Sequence, residues 1–247
     1  MSEHIEALRR EGGMLADAAA AADPDATVPT CPEWTVRELV QHTGRVHTWA
    51  AAYVREGRTV PFEESDADRL FGPMPDDAAL VDWYRERHGR LVEALDKAPA
   101  DLACWAFLPA PSPLAFWARR QAHETAIHRA DADSALGPIR GYPPEFAADG
   151  VDELLRCFMV RSGRLRTEQP RSLHVHATDT GDDWTVHMGP EEVHCGRTAE
   201  PADCSLRAPV GDLYLALWNR RGTDDLSADG DRDVLAFWRE KATVRWG

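Results

Sequence analysis

The residues most able to do chemistry lie between positions 114 and 133, in PLAFWARRQAHETAIHRADAD read from Pro113. Stepping at helical spacing picks out Leu114, Trp117, Gln121, Glu124, His128 and Asp131. Such alternating steps of three and four make the core-facing seam of a bundle helix. The seam begins apolar and turns polar. Glu124 and His128 stand one turn apart, where their side chains meet. A carboxylate and an imidazole aimed inward are costly to bury without a partner, and a metal ion is one such partner. The same spacing also serves a surface pair or an internally hydrogen-bonded couple. His123 stands five residues from His128, roughly 140° around the helix, so those two imidazoles do not share a face.

A second helix is needed to complete any such site. Thr35 followed by Glu38 is a capping box, with Trp34 at the staple position before it. The seam then runs Val36, Val40, Thr43, His47, Ala50 and Val54, which places His47 where an apolar residue is expected. His42, five residues earlier, is expected to point elsewhere. A single core histidine is commonly a hydrogen-bonded core residue. With Glu124 and His128 on a separate helix, a site shared by His47, Glu124 and His128 is the sharper expectation.

Composition narrows the function classes. The chain has 247 residues, 43% hydrophobic and 28% charged, an ordinary globular balance. Its net charge of −14 and the lack of a basic stripe speak against nucleic acid as a partner. No apolar run reaches membrane-spanning length, so no membrane partner is expected. The N-terminus MSEHIEALRREGG has no signal-peptide apolar core, which predicts a cytoplasmic location. The five cysteines are odd in number and irregularly spaced, suggesting thiols rather than disulfides or a cysteine-rich zinc site.

The other elements follow from periodicity and breakers. Helices are predicted over residues 3–22, 77–97 and 145–160, with residues 55–75 as loop. Gly12 and Gly13 mark a bend or a close helix contact in the first. Beyond residue 170 the period changes to two. Leu173, Val175 and Ala177 alternate with His174, His176 and Thr178, and Trp184, Val186 and Met188 continue the pattern after a turn. Residues 193–195 and 203–207 read as short strands, and 210–219 and 234–241 as helices. His174 and His176 share one strand face, read as an exposed sheet face. The predicted fold class is α+β with two domains. A helical bundle spans 1–165 and a small α+β domain spans 166–247, divided at the polar, proline-ended stretch 164–170.

Two separated segments, VPTCPEWTVRELVQHTGRVHTWA and RRQAHETAIHRADAD, together resemble the mycothiol-dependent maleylpyruvate isomerase family. The stretches AADGVDELL, SLHVHATDTGDDWTV and DLYLALWNRRG resemble its C-terminal domain. The resemblance implies a DinB-like metal-binding four-helix bundle followed by a sterol-carrier-protein-like domain. It implies a divalent metal, usually zinc, held by one histidine on the second helix and a Glu–His pair on a later one. Those positions map to His47, Glu124 and His128. It also implies an arginine near the C-terminus in cofactor binding or catalysis, which maps to Arg220, with Arg221 beside it. Asn219 stands where a glycine is common. The family's authentic isomerases tend to carry arginine or another residue where this chain has His123, so the resemblance does not extend to maleylpyruvate as the substrate.

Two imidazoles, one carboxylate and open positions are the ligand set of a catalytic zinc site. The expected partners are a small electrophilic substrate and a low-molecular-weight thiol, mycothiol, and the expected reaction is isomerisation or S-transfer. Asp131 reads equally as an acceptor that orients a ligand histidine and as a helix-end charge. A thiol-independent metal hydrolase, or a non-catalytic protein binding a metal or small molecule, needs the same three ligands. The sequence sets no oligomeric state.

Overall fold

The computed structural model describes residues 1–243, so positions 244–247 at the end of the expected second domain lie outside the described residues. The chain divides into two compact units, Met1–Arg140 and Gly141–Gly247.

The first unit is built on four long helices: α1 (Ser2–Ala21), α2 (Val36–Glu56), α4 (Asp77–Lys97) and α5 (Pro113–Ser134). Helix α1 packs on α5 and α4, and α2 packs on α4 and α5, so the order around the bundle is α1–α4–α2–α5. Three of the starts have side-chain caps. Thr35 and Glu38 form the reciprocal capping box of α2, Asp76 caps α4, and Ser112 caps α5 with Pro113 in its first turn. Close approach depends on small residues. A Cβ on Gly44 would lie 2.1 Å from the Trp83 ring on α4, and one on Gly12 would lie 2.2 Å from the His88 ring. Gly12 therefore marks a close helix contact rather than a bend.

Two short features depart from the expected loops. A hairpin of β1 (Thr27–Val28) and β2 (Cys31–Thr35) precedes α2, and a short helix α3 (Ala67–Phe71) interrupts the 55–75 stretch. Trp49, Tyr53, Trp105, Phe107, Phe116 and Trp117 fill one part of the bundle. The Trp117 indole N–H donates to the Trp105 carbonyl at 2.9 Å, drawing the proline-flanked segment before α5 onto the helices.

Helix α5 is buried over positions 120–133, although many of those residues are polar. An ionic network meets its C-terminal half. The Arg129 guanidinium donates to Glu11 on α1 at 2.8 Å and to Asp133 at 2.7 Å, and Arg140 closes on Asp133 from outside. Arg129 and Glu11 are almost completely buried.

The second unit opens with α6 (Pro144–Glu153), which continues through a π-helical turn (Leu154–Met159) into α7 (Val160–Ser162). Strands β3 (Arg171–Ala177), β4 (Asp183–Met188), β5 (Val193–Gly196), β6 (Cys204–Ala208) and β7 (Ser227–Gly230) form one sheet in the order β5-β4-β3-β6-β7. Only β3 and β6 are parallel among these pairs. Helices α8 (Val210–Leu217) and α9 (Asp233–Lys241) complete the unit, each packing on β3. Leu173, Val175 and Ala177 are buried as their alternation requires. Helix α6 packs on α8, so it belongs to this unit and the division falls at 140/141 rather than 165/166. The fold class is as expected, a helical bundle followed by a small α+β unit.

Removing one member of a buried ion pair leaves a desolvated charge, which costs about 3–5 kcal/mol. Glu11→Ala is therefore expected to lower the stability of the bundle by about 3 kcal/mol, read as a reduced urea midpoint. A midpoint equal to that of the parent protein would show that the pair does not hold α1 to α5.

Candidate metal centre

Helix α5 brings Glu124 and His128 together as their spacing requires. His128 Nε2 lies 3.2 Å from Glu124 Oε1. The third group is His42, whose Nε2 lies 3.7 Å from the same carboxylate oxygen. One donor atom from each of His42, Glu124 and His128 lies within 4.8 Å of the others, as an ion bridging them demands. The two imidazole rings meet edge to face at 5.0 Å. Trp34, at the end of the β1–β2 hairpin, packs on both, at 4.7 Å from His42 and 5.8 Å from His128.

His47 does not belong to this group. Its Nε2 hydrogen-bonds Thr125 Oγ1 at 2.8 Å, and its ring lies beside Tyr84 and His88 on α4. It is fully buried. The seam pattern located His47 correctly as an interior residue, but that interior lies between α2 and α4. His42 and His47 are five residues apart, roughly 140° around α2, so only one of them faces the Glu124–His128 pair. That one is His42, at the partly exposed edge of the helix. The useful signal was Trp34. The staple residue that starts α2 also covers the face bearing His42.

The surroundings hold each donor in place. His128 Nδ1 pairs with Asp131 Oδ2 at 2.9 Å, which leaves Nε2 directed at Glu124. The Thr30 hydroxyl donates to Asp131 Oδ1 at 2.6 Å, so Asp131 orients the imidazole rather than merely ending the helix. Arg120 donates to Glu124 Oε2 at 3.3 Å, leaving Oε1 for the two histidines.

Electrostatics agree with a centre that seeks positive charge. Burial works to raise the Glu124 carboxyl, but the hydrogen bond with His128 and the nearby His42 imidazole hold it well below the usual carboxylate range. Burial pulls His128 down, yet its bonds to Asp131 and then Glu124 outweigh this and lift it to about 9. Burial lowers His42, opposed by Glu124. His47 is pressed well below the ordinary value by burial and by neighbouring His88. The rim therefore carries a neutral imidazole and a carboxylate ready to accept a cation, and the imidazole behind them is held by an acid. That is the donor chemistry of a divalent metal site.

The second unit holds the arginines. Arg220 follows α8, where Asn219 adopts a left-handed φ of 60°, a conformation asparagine tolerates second only to glycine. Arg220 Nη1 donates to the Trp218 carbonyl at 2.9 Å. Arg221 is engaged by Asp212 and Asp225, a structural role. His174 and His176 share Asp183 Oδ1 at 2.8 and 2.9 Å, so this partly covered sheet face is tied internally.

Two α5 donors joined by a histidine from a neighbouring helix define a bundle protein with a metal-type centre. Comparison with known proteins is specific. Residues 5–133 match the model of the mycothiol maleylpyruvate isomerase N-terminal domain, and residues 145–237 match that of the same enzymes' C-terminal domain. The chain belongs to the mycothiol-dependent maleylpyruvate isomerase family. Its fold is similar to a crystal structure of mycothiol-dependent maleylpyruvate isomerase, with 14% identity, TM-score 0.65 and 92% of each chain covered. It is similar also to a histidine-to-alanine mutant of that enzyme, at 13% identity, TM-score 0.66 and the same coverage. A UbiJ-SCP2 ubiquinone synthesis protein, 24% identical, aligns with 40% of this chain and 94% of its own, but at TM-score 0.28 it supports no conclusion. No curated protein matches the sequence. No helix among the described residues is long and apolar enough to cross a membrane.

The paired acids make a readable prediction. The folded His128 value, about 9, lies above the ~6.5 of an unfolded imidazole. The pairing thus stabilises metal-free protein fully below pH ~6.5, and the gain is lost as pH rises through the folded value. In metal-free protein, NMR titration of the His128 ring is expected to give a midpoint near 9, and Asp131→Asn to bring it down. An unshifted midpoint in wild type would contradict the arrangement.

Proposed function

We propose that this protein is a metal-dependent enzyme that activates a low-molecular-weight thiol, mycothiol, for isomerisation of, or S-transfer to, a small electrophilic substrate. The observation that carries the reading is the convergence of His42, Glu124 and His128 donor atoms within 4.8 Å. Family membership supports the thiol. Zinc is the proposed metal because two imidazoles, one carboxylate and open positions suit it. A cytoplasmic setting agrees with the five cysteines, none of which forms a disulfide among the described residues.

Bound zinc would supply a positive charge that keeps a coordinated thiol deprotonated at neutral pH. The protein's own groups prepare that centre. His42 and His128 present Nε2, Asp131 accepts the hydrogen bond from Nδ1–H of His128, and Arg120 fixes which Glu124 oxygen faces them. Trp34 covers one side of both rings and limits water there. Addition of the thiolate sulfur to an electron-poor double bond forms a C–S bond and permits rotation about the former double bond. Elimination then breaks the C–S bond and returns the thiol. In S-transfer the C–S bond persists, a leaving group departs and the thiol is consumed. Arg220 is proposed to hold a carboxylate of substrate or thiol by paired hydrogen bonds, the role that the family resemblance implies for this position.

His42→Ala and His128→Ala are expected to abolish binding of one equivalent of zinc, whereas His47→Ala retains it. Asp131→Asn is expected to weaken zinc about 10- to 100-fold. Equilibrium dialysis with metal analysis measures both. Loss of zinc in His47→Ala, in a folded protein, with retention in His42→Ala would reverse the ligand choice. Thiol-dependent turnover of electrophilic substrates tests the reaction. Turnover without thiol would identify a hydrolase, and metal-linked stabilisation without chemistry a binding protein.

A further inference from the structure

Helices α2, α3 and α4 line a half-open pocket of about 390 Å³ that includes none of the three proposed metal ligands. It is lined along the C-terminal half of α2 and the facing parts of α3 and α4, with Arg55, Arg69, Arg87 and Arg90 around it and Glu56 opposing them. Four guanidinium groups gather here in a chain whose net charge is −14. We propose that this cavity binds a small oxyanion carrying two negative charges, of phosphoryl or dicarboxylate type.

The pairing of the arginines supports this. Arg90 is matched by Glu86, and Arg69 by Asp66 at 3.2 Å. Arg55 and Arg87 have no carboxylate within 4.0 Å among the described residues. Arg55 acts on the Glu93 carboxylate only at longer range, and that carboxylate serves Lys97. Arg87 adds an independent observation. Its Nε is buried and has no hydrogen-bond partner among the described residues, while its guanidinium lies 5.6 Å from the Trp83 ring centroid. Because that Nε is closed off, a ligand in the pocket would be met by the terminal nitrogens of Arg87, beside the guanidinium of Arg55. The guanidinium lies within cation–π range of Trp83, and its planar fork suits the two oxygens of a carboxylate or phosphoryl group. The volume lies in the range of small-ligand pockets, and Leu70 with Ala51 and Ala52 gives it an apolar floor. The proposal is independent of the metal centre.

Calorimetric titration at constant ionic strength with inorganic phosphate, succinate and acetate tests it. Saturable one-to-one binding of phosphate or succinate is expected, with acetate about tenfold weaker or more. Preference for phosphate identifies a phosphoryl ligand, and preference for succinate a dicarboxylate. Arg55→Gln and Arg87→Gln are each expected to weaken binding about tenfold, equivalent to about 1.4 kcal/mol. Arg166→Gln, an exposed charge in the other unit, leaves the affinity within about twofold. Arg87→Lys keeps the charge but loses the fork, so it gives intermediate affinity and replaces Arg87→Gln if that variant does not fold. Absence of saturable binding overturns the proposal. So does equal weakening by Arg166→Gln, or full affinity in a folded Arg55→Gln/Arg87→Gln double variant.

Discussion

Everything in the bundle follows from burying a polar helix. Helix α5 is enclosed over positions 120–133, yet that stretch carries Arg120, Glu124, His128, Arg129, Asp131 and Asp133. Each such group is costly in a low-dielectric interior unless another supplies the opposite charge or a hydrogen bond. One set is satisfied by the fold alone: Glu11 crosses from α1 to Arg129, which also holds Asp133. The other set, Arg120–Glu124–His128–Asp131, is bonded along one helix and by Thr30, and ends at a partly open edge where His42 arrives from α2. The first locks the helix; the second gives it chemistry.

The same electrostatics balance the charges gathered around His128. Glu124 and Asp131 flank His128, and two anions with no cation between them would repel. A proton on His128, whose pKa is lifted to about 9, supplies that charge. A divalent ion at Nε2 would displace the proton on that side, while Asp131 keeps the one on Nδ1. Metal and proton would compete for the same nitrogen, so the groups that hold His128 protonated would also set the pH dependence of the proposed metal binding.

What was legible in the sequence was what periodicity and capping encode. The four long helices, the alternating β3 and β4, the Thr35–Glu38 box and the Glu124–His128 pair all depend on local spacing. Short elements were not legible: Thr27–Val28 lies beside Pro29, α3 has five residues, and β7 is mostly exposed. Tertiary pairing, not local preference, makes them. The stretch near 164–170 looked like a linker because it is polar and proline-ended. It is instead a loop of the second unit, with Thr167 bonded to the Gly189 and Met188 carbonyls at the end of β4. Composition marks a loop but does not say whether two bodies meet there.

Ranking by burial selects a different imidazole from the one that stands beside Glu124 and His128. Ranking α2 positions by their place on the seam selects the most enclosed imidazole. That is His47, and its environment makes it neutral and bonded to Thr125. A residue proposed to meet a metal and a small thiol does not suit the centre of a packed core, because interiors leave no room for either. It belongs one step to the side, where a helix edge meets a covering aromatic. His42 under Trp34 meets that condition, and on α5 the groups opposite it are the same two that the spacing selected. A bundle thus uses the middle of each seam for cohesion and its margin for reactivity.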